Sequence, residues 1–136
     1  MAKALEIAYE NMEVEQNYIK EIKLYFVERI HAQLPAISFN GGSNALEAQK
    51  ASIINLCLPI PSSKANTTLF QLDMQGVFCS RGSACQSGSN QPSHVLAAFL
   101  SKENLAKTSL RFSLSIFNTK DDIDYLVLKL KDLLGE

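Results

Sequence analysis

Along the first 34 residues, apolar side chains recur at spacings of three, four or seven: Leu5, Ala8, Met12, Ile19, Ile22, Phe26 and Ile30. Neither Pro nor Gly interrupts them before Pro35, so the pattern predicts one long helix. About 30 helical residues make a rod of roughly 45 Å. A compact domain of this length has a radius of gyration of only about 14 Å. The rod is therefore expected to project beyond its own core, which points to a missing neighbour.

Beyond Pro35 the period shortens. Residues 36–40 read as a short strand, and Gly41-Gly42 as a turn that needs positive φ. Residues 52–58, rich in branched apolar side chains and stopped by Pro59 and Pro61, read as a second, well-buried strand. Asn66 is the expected N-cap of a short helix through Met74, with Leu69, Phe70 and Leu72 available to the core and Gly76 ending it. Residues 77–80 read as a third strand. Residues 80–91 follow neither period and form a loop of Ser, Gly, Arg, Cys and Asn. Pro92 suits the first turn of a helix whose Val95, Leu96 and Phe99 face inward. In residues 108–115, Leu110, Phe112 and Leu114 alternate with Ser109, Arg111 and Ser113, so Arg111 projects from the face opposite the apolar one. Thr119, Asp121 and Asp122 open a last helix buried through Ile123, Val127, Leu130 and Leu134. The order αββαβαβα is that of an α+β fold: a small mixed sheet with helices mainly on one face.

Composition narrows the class of function. The 136 residues are 46% hydrophobic and 20% charged, with 13 Lys plus Arg against 14 Asp plus Glu. That supports a single domain with one core, and a net charge of −1 offers no footprint for nucleic acid. Apolar runs are far too short to cross a bilayer, and residues 1–9 carry Lys3 and Glu6 where a signal peptide needs an apolar stretch. A cytoplasmic protein is expected. Cys57, Cys79 and Cys85 are odd in number and lack C-x-x-C spacing, so reduced thiols are expected rather than disulfides or a zinc site.

Cys85 is the strongest candidate for chemistry. A thiol among small loop residues is reachable, its thiolate attacks electrophilic sulfur or carbon, and Arg81 and nearby backbone N–H groups would lower its pKa. The alternative is a small side chain filling space in a loop. Cys57 lies in an apolar strand and is read as core packing. Cys79 is read the same way, with an accessory thiol as the lesser alternative.

The stretch Gly76-Val77-Phe78-Cys79-Ser80-Arg81-Gly82-Ser83-Ala84-Cys85-Gln86-Ser87-Gly88-Ser89 closely resembles the active-site loop of the cysteine desulfurases, members of the class V aminotransferase family. Pro92-Ser93-His94-Val95-Leu96, Ser109-Leu110-Arg111-Phe112-Ser113-Leu114 and Asp121-Asp122-Ile123-Asp124-Tyr125 follow in that family's order and spacing. Ile54-Asn55-Leu56-Cys57-Leu58 and the opening helix match more loosely. The resemblance implies the C-terminal small domain of a pyridoxal 5′-phosphate (PLP) enzyme of fold type I that converts L-cysteine to L-alanine. It makes Cys85 the nucleophile that carries sulfur as a persulfide, Arg111 the binder of the substrate carboxylate, and Ser80, Arg81, Gly82, Ser83, Ala84, Gln86, Ser87 and Gly88 the surrounding loop. It also implies delivery of sulfur to an acceptor or scaffold protein in iron–sulfur cluster assembly or another transfer pathway, and a homodimer.

None of the ten lysines sits in the family's cofactor-lysine motif, so the chain alone is expected to bind no PLP and to be inactive. Arg81 stands where a small residue is usual, and Ser115-Ile116 replaces a common Gly-Arg. The alternative function is a free-standing module that carries persulfide sulfur or docks a sulfur acceptor without desulfurase activity. A caspase-like protease, suggested by Ala84-Cys85-Gln86 and His31, is disfavoured because Ser87 interrupts the required Cys-x-Gly and His31 lies within the long helix. His94 reads as a structural or rim histidine.

Overall fold

A computed structural model describes residues 2–45, 52–81 and 94–135. Helix α1 spans Ala2–Gln33, as its apolar period predicts. Its second half enters the core through Ile22, Phe26 and Ile30, and the chain continues there through Leu34. The first half does not: Leu5, Ile7, Tyr9, Met12 and Val14 are all exposed. The earliest side-chain tie to the distant chain is at Tyr18, whose hydroxyl donates to the Asn118 carbonyl at 2.8 Å.

Strands β1 (Ser38–Phe39), β2 (Ile53–Pro61) and β3 (Lys107–Ser113) pair in the order β1-β2-β3, antiparallel in every described pairing. β2 runs on through both prolines that were expected to stop it. β1 pairs with Cys57 and Leu56, so beyond Cys57 no described strand uses that edge of β2. On a free edge the missing Pro N–H removes no ladder bond. The β2–β3 register slips between Leu58 and Pro61, where the proline is accommodated.

Helix α2 (Ala65–Met74) buries Leu72, whereas Phe70 faces outward rather than into the core. Asn66 is not its N-cap. A 3-10 turn at Ser62–Lys64 feeds the helix, which leaves Asn66 one residue inside it. Gly76, at φ +75°, ends the segment as expected. The third strand expected at residues 77–80 is reduced to a single antiparallel bridge between Ser80 and Arg111. The helix expected after Pro92 is two short pieces, α3 (His94–Ala97) and α4 (Lys102–Leu105). Ser101 caps the second by accepting from the Asn104 N–H. With the helix broken there, Val95 and Phe99 are exposed instead of inward.

Helix α5 (Lys120–Leu134) opens with a capping box: the Thr119 side chain accepts from the Asp122 N–H, and the Asp122 carboxylate accepts from the Thr119 N–H. It lies against α1, where Asp124 receives the Arg29 guanidinium at 2.6 Å and the Tyr25 hydroxyl at 2.9 Å. The core joins Ile54, Leu56 and Leu58 of β2 and Leu110 and Phe112 of β3 to the buried faces of α1 and α5. Phe26 meets Phe112 edge to face, with ring centroids 5.9 Å apart. The result is an α+β domain with a small antiparallel sheet covered mainly on one face by helices, and a long helix at its start. No helix among the described residues is long and apolar enough to cross a membrane.

Candidate active site

The sheet's second face is built from the alternate residues of the same strands. In β3, Leu110 and Phe112 point into the core, so Arg111 between them points away and is exposed. Directly opposite in β2 stands Asn55. Beyond Arg111 on its other side lies Ser80, whose N–H donates to the Arg111 carbonyl at 2.9 Å and whose carbonyl accepts from the Arg111 N–H at 2.6 Å. Both main-chain groups of Arg111 are thus turned toward Ser80. Asn55 and Arg111 therefore form a non-hydrogen-bonded pair, the closer kind, with Cα atoms about 4.5 Å apart and side chains on one face.

The row continues past Asn55. Its N–H and carbonyl both meet the Ser43 hydroxyl, at 3.1 and 3.0 Å. Ser43 and Asn40, both buried, are carried over the sheet by the turn at Gly41 and Gly42, with φ +60° and +65°. A side chain at either glycine would be strained by that conformation. Asn40 Nδ2 donates to Asn55 Oδ1 at 2.9 Å and to Ser109 Oγ at 3.0 Å. One line across the sheet therefore reads Ser43, Asn55, Arg111, Ser80, with its left half tied down and Arg111 open to solvent.

Of the residues expected in the site, Ser80, Arg81 and Arg111 are described, and two of them are brought together. Ser80 is paired to Arg111. Arg81 is turned toward α2, where its guanidinium donates to Asn66 Oδ1 at 2.5 Å. Gly82, Ser83, Ala84, Cys85, Gln86, Ser87 and Gly88 lie outside the described residues. Asn40, Ser43 and Asn55 were missed by sequence reasoning. The available signal was Asn55, a lone amide in an otherwise apolar run.

The other two thiols are unsuited to nucleophilic work. Cys57 is buried, and desolvation raises its pKa against smaller opposing effects led by the Ser38 contact. Cys79 is half-buried beside a shallow cleft lined by Asn66, Leu69, Phe70 and Asp73. Burial first, and then the Asp73 charge, push its thiol up to about 11. His31 stacks edge to face on Phe39 at 5.2 Å, and His94 begins a short exposed helix. Among the described residues no cluster of His, Cys, Asp and Glu is arranged to hold a metal ion.

A family model described as aminotransferase class-V matches residues 1–126. The cysteine desulfurase IscS of Clostridium botulinum is 34% identical over 136 residues, which is 100% of this chain and 34% of that protein. The cysteine desulfurase IscS of Dictyoglomus turgidum is 35% identical over 126 residues, 92% of this chain and 30% of that protein. Among solved structures, a NifS-like protein superposes with a TM-score of 0.73 at 22% identity, covering 98% of this chain and 32% of that one. The aminotransferase TlmJ from Streptoalloteichus hindustanus does so at 0.67 and 12% identity, covering 96% and 34%. These structures share the fold. The chain spans about a third of the length of the curated relatives it matches.

Proposed function

Because the chain belongs to the class V aminotransferase family, we propose that it forms the C-terminal small-domain part of a PLP-dependent cysteine desulfurase. In that reading Arg111 holds the substrate carboxylate and Cys85 takes the sulfur. The observation that carries it is the pairing of Ser80 with Arg111. Arg111, whose side chain is exposed on a rigid strand, is hydrogen-bonded through its main chain to Ser80, five positions before Cys85 in the sequence. A guanidinium grips a carboxylate through two parallel N–H bonds, and a strand keeps that fork in place. The Cys85 thiolate attacks the sulfur of bound L-cysteine. An S–S bond forms, the C–S bond breaks with its electron pair left on the carbon skeleton, that carbon takes up one proton from water, and one L-alanine and one Cys85 persulfide result.

PLP supplies the electron sink for that cleavage. The residues described here do not make a cofactor site. The buried lysine among them, Lys23, spends its ammonium on the Ala45 carbonyl at 3.1 Å, and burial lowers its pKa. We assign the cofactor lysine to another part of the complete enzyme, and on that reading this chain alone is inactive. The exposed apolar residues in the first half of α1 support burial against further protein there, including a homodimeric partner. The persulfide is passed to a sulfur-acceptor or scaffold protein.

The test is a single turnover of the complete PLP-loaded enzyme with L-[35S]cysteine, read on a non-reducing gel. Label released by thiol should be retained in Cys57→Ser and Cys79→Ser and lost in Cys85→Ser. Retention of label in Cys85→Ser overturns the assignment.

A further inference from the structure

Asn55 stands beside Arg111 with its amide already oriented. Its Oδ1 accepts from Asn40 Nδ2, and Asn40 is itself buried and fixed by a second bond to Ser109 Oγ. Its backbone is clamped on both sides by Ser43 Oγ. With the oxygen held toward Asn40, the Nδ2 group must point the other way across the amide plane. Neither Nδ2 of Asn55 nor the Arg111 guanidinium has an acceptor among the described residues. Two donor-only groups thus share one face on directly paired strand positions.

Adjacent donors without an acceptor match a ligand with at least two acceptor oxygens and negative charge. We infer that Asn55 is a second carboxylate-binding residue, its Nδ2 donating to the same substrate carboxylate that Arg111 grips. This rests on the carboxylate reading of Arg111 and adds to it. Arg111 supplies charge from a long, exposed side chain, whereas Asn55 supplies a neutral donor on a short, half-buried one locked by Asn40 and Ser43. The pair would fix the direction of the carboxylate plane, which a single mobile guanidinium leaves free.

The inference is tested in the complete PLP-loaded enzyme with L-cysteine, and with cysteamine, which keeps the thiol and amine but lacks the carboxylate. Asn55→Ala should raise KM for L-cysteine roughly tenfold with kcat within about twofold, the loss expected for one hydrogen bond to a charged group. Asn55→Asp keeps an acceptor for Asn40 Nδ2 but replaces the donor by an anion, and should raise KM further. The dissociation constant of cysteamine should be unchanged in both. Arg111→Ala serves as the reference for the carboxylate reading itself. If Arg111→Ala raises KM for L-cysteine but neither Asn55 variant does, Asn55 is no ligand and the inference is overturned while the Arg111 reading stands. If cysteamine binding weakens in parallel with L-cysteine, Asn55 acts through the shape of the sheet and the inference is again overturned. If Arg111→Ala itself leaves KM unchanged, the carboxylate reading fails and the inference with it.

Discussion

A thiol is nucleophilic only in proportion to its thiolate, and burial sets Cys57 and Cys79 low on that scale. A half-buried Cys79 raised to about 11 exposes on the order of one thiolate in 10⁴ molecules at pH 7, against a few per cent for an ordinary exposed thiol. Cys57 is shifted the same way and is also shielded by packing. With iodoacetamide, Cys85 should therefore label on the order of 100-fold faster than Cys79 at pH 7. The sign of the shift gives a second signature. A raised pKa makes thiolate scarce until the pH approaches it, so the Cys79 rate should climb about tenfold per pH unit to near 11. Mass spectrometry of the alkylated peptides reads both, and equal rates at pH 7 would remove the case for Cys85 as the privileged nucleophile. At this scale the sequence was informative where chemistry follows from local pattern. The outward projection of Arg111 came from alternation alone. The Asn40, Ser43 and Asn55 cluster did not, because it joins residues 12 and 15 positions apart through a turn whose path over the sheet is a tertiary outcome.

Elements announced by strong periodicity or local side-chain bonding formed as the chain's pattern predicts, and those resting on weaker signals did not. Helix α5 combines an apolar stripe with a capping box closed by residues three apart. Thr119→Ala removes the acceptor for the Asp122 N–H and should cost about 1 kcal/mol of stability, read as a lower urea midpoint with an unchanged slope. Thr119→Ser, which keeps the oxygen, should recover most of it. An unchanged midpoint for the Ala variant would mean that solvent replaces the cap without loss. Where the outcome departed, a longer-range contact or a local alternative intervened. β2 passes its prolines because β1 is too short to use that edge. Residues 77–80 reach β3 at one rung only, with Phe78 left exposed. The helix after Pro92 is split because Ser101 starts a new turn of its own. None of these three is written in a local period.

At the scale of the whole molecule, α1 divides into two halves with different roles. Thirty-two helical residues make a rod of roughly 48 Å, but packing against the sheet and α5 begins near Ile19 and is complete only from Ile22 onward. Residues 5–14 carry five exposed large apolar side chains and the local hydrogen bond from Asn11 to the Ile7 carbonyl. An isolated helical segment of that length is marginal in water, since packing supplies most helical stability in proteins. The cooperative unit should therefore begin near Tyr18, with its tie to Asn118, and the preceding segment should open at little free-energy cost. In native-state hydrogen exchange of this chain, amides of residues 6–14 should exchange through local opening with small protection. Those of residues 24–33 should approach the free energy of global unfolding. Deleting residues 2–14 should correspondingly leave Tm within about 2 °C, whereas Phe26→Ala, which empties the contact with Phe112, should cost about 3–5 kcal/mol. Slow exchange across residues 6–14 in a dilute monomer, or a large fall in Tm on their deletion, would show that the projecting half is held by the domain itself. Protection that appears only as concentration rises would instead assign its cover to a second copy of the chain, as the exposed stripe leads one to expect.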